Sequence, residues 1–189
     1  MHSARRVALC SGHMIDQPDR ATPRFPASRE GFVAAAIAQT FASWNLGPDD
    51  LAICGGARGA DILFAEAALD RGLTLRILLA EFEADFRRNS LQLGASDLAW
   101  EHRFDDLRKR GATISGRHER FGDPPASVSI YEQTNRWMLD TAVDEADDEI
   151  LAVLVWDGQD AGDGPGGTAH FQRELLSLGC TPVVIDPRP

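Results

Sequence analysis

The sequence predicts an α/β fold: a single Rossmann-like domain whose parallel sheet has about five to seven strands and helices on both faces. Three observations carry this expectation. Short apolar runs alternate with longer segments of helical periodicity along the whole chain, the pattern of repeated βαβ units. The apolar runs are nearly continuous rather than alternating, as strands are when both their faces are covered. Three of them run directly into turns rich in glycine or small polar residues, where strands hand over to helices.

Taken in order, Arg5 to Cys10 reads as a short buried strand that ends in Ser11-Gly12-His13. The polar, proline-rich stretch from Met14 to Ala27 is long for an ordinary loop and suggests a lid. Ser28 is placed to cap a helix in which Phe32, Val33, Ala36, Ile37, Thr40 and Phe41 recur at helical spacing. Gly47 to Asp50 is a turn, and Leu51 to Cys54 a second strand running into Gly55-Gly56-Ala57-Arg58-Gly59-Ala60-Asp61. A helix continues to Arg71 and Gly72 stops it, before a third apolar strand from Leu73 to Ala80. Charged amphipathic helical stretches follow over Phe82 to Leu93 and Ser96 to Arg110. Ala112 to Ser115 is a fourth strand, Gly122 to Ala126 a breaker, and a helix starts near Ser129 with Ile130, Trp137, Met138 and Ala142 facing inward. Ile150 to Trp156 is a strongly apolar strand, followed by a Gly/Asp-rich loop through Gly167, a helix from Thr168 to Leu178 and a last strand from Pro182 to Ile185.

A chain of 189 residues suits one domain spanning residues 1–189, with a core that needs no staples. With 29 acidic against 19 basic residues the net charge is -10, which leaves no cationic surplus for a long nucleic acid. A small anion is another matter, since backbone N–H groups and one or two arginines hold a phosphate locally. Cys10, Cys54 and Cys180 are far apart and odd in number, so reduced thiols in a cytoplasmic protein are expected. The apolar residues near the start are too few for a signal peptide, and no run approaches the about 20 residues that span a bilayer. The histidines lack metal-ligand spacing, so no metal is expected.

In open parallel sheets the ligand lies beyond the carboxyl ends of the strands. The turns there nominate Ser11 and Gly12, then Gly55, Gly56, Arg58, Gly59 and Asp61, and lastly Asp157, Gly158, Gly166, Gly167 and Thr168. Glycines permit close backbone approach, and the N–H groups of a helix start attract an anion. Either glycine turn also serves as a mere tight connection, and Thr168 as a plain N-cap. Asp157 suits ribose hydroxyls or the ordering of its own loop. Asn135, one helical turn from Tyr131, either caps a neighbouring loop or touches the ligand. Neither the dinucleotide fingerprint nor the P-loop is present.

Cys54-Gly55-Gly56-Ala57-Arg58-Gly59-Ala60-Asp61 resembles the Ser-Gly-x-Ala-x-Gly-x-Asp turn of the SMF/LOG-like (SLOG) superfamily, seen in DNA-processing protein A and YpsA-like members. Asn135-Arg136-Trp137-Met138 and Val155-Trp156-Asp157-Gly158 are also similar to YpsA-like sequences. Pro165-Gly166-Gly167-Thr168 is similar to the Pro-Gly-Gly-x-Gly-Thr of lonely-guy phosphoribohydrolases. Ser11 to Asp16 and Gly162 to Ala169 resemble SLOG-like domains associated with bacterial signalling. The resemblance implies a module that binds or senses a small nucleotide or nucleotide derivative, such as an ADP-ribose-like signal, with no cofactor required. It leaves room for a homo-oligomer or a signalling partner protein. The alternative it implies is hydrolysis of a nucleoside or nucleotide N-glycosidic bond, with Asp61, Glu81, Asp157 and Glu174 as the available acids. The lonely-guy catalytic glutamate falls three residues after the motif threonine, where this chain has Phe171, so the expectation leans toward binding.

Overall fold

Apolar runs become the centre of the molecule because a strand covered on both faces removes every side chain from water. In the computed structural model, which describes residues 4–94, 97–124, 127–159 and 166–189, six strands form one sheet, buried at its centre and partly exposed at its two edges. They are β1 (Val7–Gly12), β2 (Leu51–Cys54), β3 (Thr74–Leu79), β4 (Thr113–Gly116), β5 (Ile150–Val155) and β6 (Val183–Ile185). The order across the sheet is β4-β3-β2-β1-β5-β6, and every neighbouring pair is parallel. The chain is therefore α/β and Rossmann-like, and strand order reverses between β1 and β5.

Seven α-helices connect the strands among the described residues: α1 (Glu30–Ser43), α2 (Ala60–Asp70), α3 (Glu83–Phe86), α4 (Ala99–Lys109), α5 (Arg117–Phe121), α6 (Ile130–Glu145) and α7 (Thr168–Ser177). Alternate residues of β1 show the two layers. Ala8 and Cys10 join the core made with Val33, Ile37 and Phe41 of α1, Phe64 of α2 and Phe104 of α4. Val7 and Leu9 join the opposite core with Trp137 and Met138 of α6 and Phe171 and Leu175 of α7. No helix among the described residues is long and apolar enough to cross a membrane.

Several local expectations change. Ser28 caps no helix; it lies in a 3-10 turn over Ala27–Arg29, because Pro26 before it is extended at φ -68° and ψ 148°. The stretch from Phe82 to Leu93 is a short helix that passes into a π-turn at Arg87–Leu91. A one-turn helix, α5, stands where a strand was expected to give way to a breaker. Ser129 does cap α6, accepting from the Glu132 N–H at 3.4 Å.

The segment after β1 is fastened rather than loose. The Asp16 carboxylate accepts from the N–H groups of Arg24 and Phe25, both at 2.9 Å, and closes the segment on itself. Ile15 and Phe25 are sunk into the core.

Candidate functional site

All parallel strands deliver their carboxyl ends to one edge of the sheet, and a cleft of about 650 Å³ opens there. That size falls in the range of about 300–1,000 Å³ typical of small-molecule sites. Its floor is the end of β1 with the β2–α2 turn, one wall is α6, and another is the segment from His13 to Arg24. The start of α7 completes it. Turns more than a hundred residues apart in the chain thus meet in one place.

Nine of the nominated residues lie in the lining: Ser11, Gly12, Gly55, Arg58, Asp61, Asn135, Gly166, Gly167 and Thr168. Gly56, Gly59, Asp157 and Gly158 do not. Gly56 faces the core, where an added Cβ would meet Ile77 Cγ2 at 2.5 Å and Phe104 at 3.2 Å. Gly59 lets the start of α2 pass the backbone of Ile15 and His13, at 2.6 and 3.0 Å from an added Cβ. Gly158 makes a turn at φ +77° with open space around it. Residues 160–165, which include Asp163 to Pro165 of the third turn, lie outside the described residues.

Asp157 is occupied by protein. Arg24 grips it with two bonds, Nε to Oδ2 at 2.9 Å and Nη2 to Oδ1 at 3.0 Å, and His13 Nε2 lies 3.1 Å from Oδ1. The Arg24 guanidinium first, and His13 after it, hold the carboxyl well below the usual carboxylate range despite its burial. Arg58 is similarly engaged: its guanidinium donates to Ile15 O and Asn89 O, both at 3.2 Å, and burial pulls its pKa down. It ties two walls of the cleft together.

The β2–α2 turn holds a carboxyl group of its own. Asp61 Oδ2 accepts from the Ala57 N–H at 3.2 Å, while Oδ1 is enclosed without a hydrogen-bond partner. Burial pushes the Asp61 carboxyl up to about 7, against the opposing pull of the Ala57 N–H and the nearby Cys10 thiol. Other N–H groups of the turn are also spent, Arg58 on Ser90 O at 2.9 Å and Ala60 on His13 O at 3.2 Å. Gly55 is adapted to this arrangement, since a Cβ there would sit 3.0 Å from Asp61 Oδ2.

The start of α7 is different. Its N-cap is Gly167, with no side-chain cap, and Thr168 is the first helical residue rather than the cap. The Thr168 hydroxyl has no hydrogen-bond partner among the described residues although the residue is only 4% exposed. Asn135 Nδ2 donates to Gly166 O at 2.7 Å and fixes the approach to the helix. Gly166, at φ +85°, passes so near α6 that a Cβ would meet the Glu132 nitrogen at 2.6 Å.

Of the four candidate acids only Asp61 lines the cleft. Glu174 pairs with Arg136 at 3.0 Å, and Glu81 accepts from Asn89 Nδ2 at 2.8 Å. Residues that the turns did not nominate also line it. Arg20, paired with Asp16 at 3.4 Å, and Arg24, paired with Asp157, come from the proline-rich segment. Leu78, Phe86, Tyr131 and Met138 give an apolar side. Two arginines four apart in a segment without periodicity were the one signal available, and it does not say which way they point. No known family model matches this chain, and no curated relative matches it.

Proposed function

We propose that this cleft binds a small phosphorylated ligand of nucleotide type, its phosphate at the start of α7 and its base against the apolar side. The observation that carries this reading is Thr168 at the first turn of α7: the residue is 4% exposed and lines the cleft, and its hydroxyl has no partner among the described residues. Helix starts offer free N–H groups and a positive dipole end, worth about 0.3–1 kcal/mol to a nearby anion. Arg20 and Arg24 in the same lining are paired with Asp16 and Asp157, so the helix start itself is what offers donors to the anion. The place also suits it, because strand order reverses between β1 and β5 and ligands collect at such points.

Calorimetry with inorganic phosphate and a panel of nucleoside monophosphates and dinucleotides tests the reading. Wild type should bind at least one nucleotide, and Thr168→Val and Gly167→Val should each weaken it while remaining folded. Equal affinity of all three proteins would refute it. Hydrolysis of an N-glycosidic bond is a second reading, favoured by the position of Asp61 in the lining. Release of free base from the same compounds would support it.

A further inference from the structure

The two helix starts that meet in the cleft are not equivalent. At α7 the first turn carries a hydroxyl with no partner among the described residues, and no side chain caps it. At α2 the place an anion would take is filled by the chain's own Asp61. Its Oδ2 sits on the Ala57 N–H, and the N–H groups of Arg58 and Ala60 are committed to Ser90 and His13. A phosphate brought here would meet a carboxyl group and find few free donors. A hydrogen-bond donor brought here would meet an acceptor with capacity to spare. Oδ2 has accepted the Ala57 N–H, Oδ1 is enclosed with no hydrogen-bond partner beyond the pull of the nearby Cys10 thiol on the carboxyl, and the residue, nine-tenths buried, lines the cleft. A buried carboxyl in that state gains most from a ligand that donates to it.

Resting on the phosphate-ligand reading, we propose that Asp61 is a specificity-determining residue that accepts from the ribose hydroxyls of the ligand, so that the sugar lies at the β2–α2 turn and the phosphate at α7. The cleft is thereby polar along its length: it selects ligands that carry hydroxyls at one end and a phosphate at the other. Of the two glycine turns, the Gly55–Asp61 turn serves as a hydroxyl reader, and only the Gly166–Thr168 turn serves the anion. Gly55 is small so that the Asp61 carboxyl has room beside it.

The test uses full-length protein and calorimetry with three probes: inorganic phosphate, AMP and 2′,3′-dideoxy-AMP. Wild type should prefer AMP over its dideoxy analogue by about tenfold or more, the scale of losing a hydrogen bond to a carboxylate. Asp61→Ala should lose that preference while binding inorganic phosphate as well as wild type or better. Asp61→Asn keeps an acceptor for Ala57 and the side-chain volume, so it should fold even where the alanine variant does not, and it should also lose part of the preference. Equal binding of AMP and the dideoxy compound by wild type overturns the proposal without any variant. So does a loss of phosphate affinity in Asp61→Ala as large as its loss of AMP affinity. Failure of wild type to bind phosphate or AMP at all overturns the phosphate reading itself, and this proposal with it, which is a different result from the other two.

Discussion

Replacing Asp61 with asparagine should change how stability depends on pH. The carboxyl is pushed from the ordinary 3.8 up to about 7 by burial. A rise of about three units corresponds to about 4 kcal/mol, at about 1.4 kcal/mol per unit. Because the folded state keeps its proton where the unfolded chain has already lost one, the unfolded state binds fewer protons between about pH 4 and about pH 7. Stability from this group is therefore complete below about pH 4 and is lost as pH rises toward about 7, beyond which the curve is flat. The asparagine side chain carries no such proton and can still accept from Ala57. The Asp61→Asn variant should thus gain on wild type by up to about 4 kcal/mol between about pH 4 and about pH 8. Urea unfolding by linear extrapolation across that range reads it. Titration of groups away from Asp61 is common to both proteins and cancels in the difference. Asp157, held below the usual range, acts only at more acid pH. The Cys10 and Cys54 thiols, pushed well above theirs by burial, stay protonated throughout. A difference between the two proteins that stays constant over this range would refute the reasoning.

Four further outcomes are expected. Gly56→Val should destabilise by at least about 2 kcal/mol, since φ is +80° and Ile77 and Phe104 already fill the space; an unchanged melting temperature would show that Gly56 does not face the core. Arg24→Ala leaves the enclosed Asp157 carboxylate without its guanidinium and should cost about 3–5 kcal/mol in chemical denaturation at neutral pH. In wild type that contribution is present above about pH 4 and is lost as pH falls through the lowered folded value, so the variant should show a shallower acid limb. Thr168→Val should shift stability by no more than about 0.5 kcal/mol, whereas loss of a true N-cap costs about 0.5–2 kcal/mol; a drop in that upper range by thermal melting would return Thr168 to a capping role. Fluorescence anisotropy with single- and double-stranded oligonucleotides at physiological salt should find no tight complex, and sub-micromolar binding with a steep salt slope would contradict the charge argument.

The central strands were legible because a strand buried on both faces leaves an unbroken apolar run, as Leu151 to Val155 does and as Leu75 to Leu79 does with Arg76 alone breaking it. Glycine-rich turns told where the cleft would be, and far less about what each residue does in it. A glycine reads the same whether it clears space for a ligand or for Ile77, so the roles of Gly55 and Gly56 could not be separated in sequence. Asp157 looked available because its partner Arg24 is 133 residues away. The helix α5 has five residues, too few to show a period. Thr168 was displaced by a single position, from cap to first turn, and that step freed its hydroxyl.

The fastening of the segment between Gly12 and Ala27 has a kinetic consequence. Phe25 fills the core, and Arg24 holds an enclosed carboxylate with two bonds. Swinging this wall outward would expose both at once, a cost that places such openings among rare, slow events. The cleft lining also includes Tyr131, which stands half in solvent, so entry that leaves this wall in place is open. Association should then be a single second-order step that rises linearly with ligand concentration, without the plateau that a gating motion imposes, and residence time should not be set by the loop.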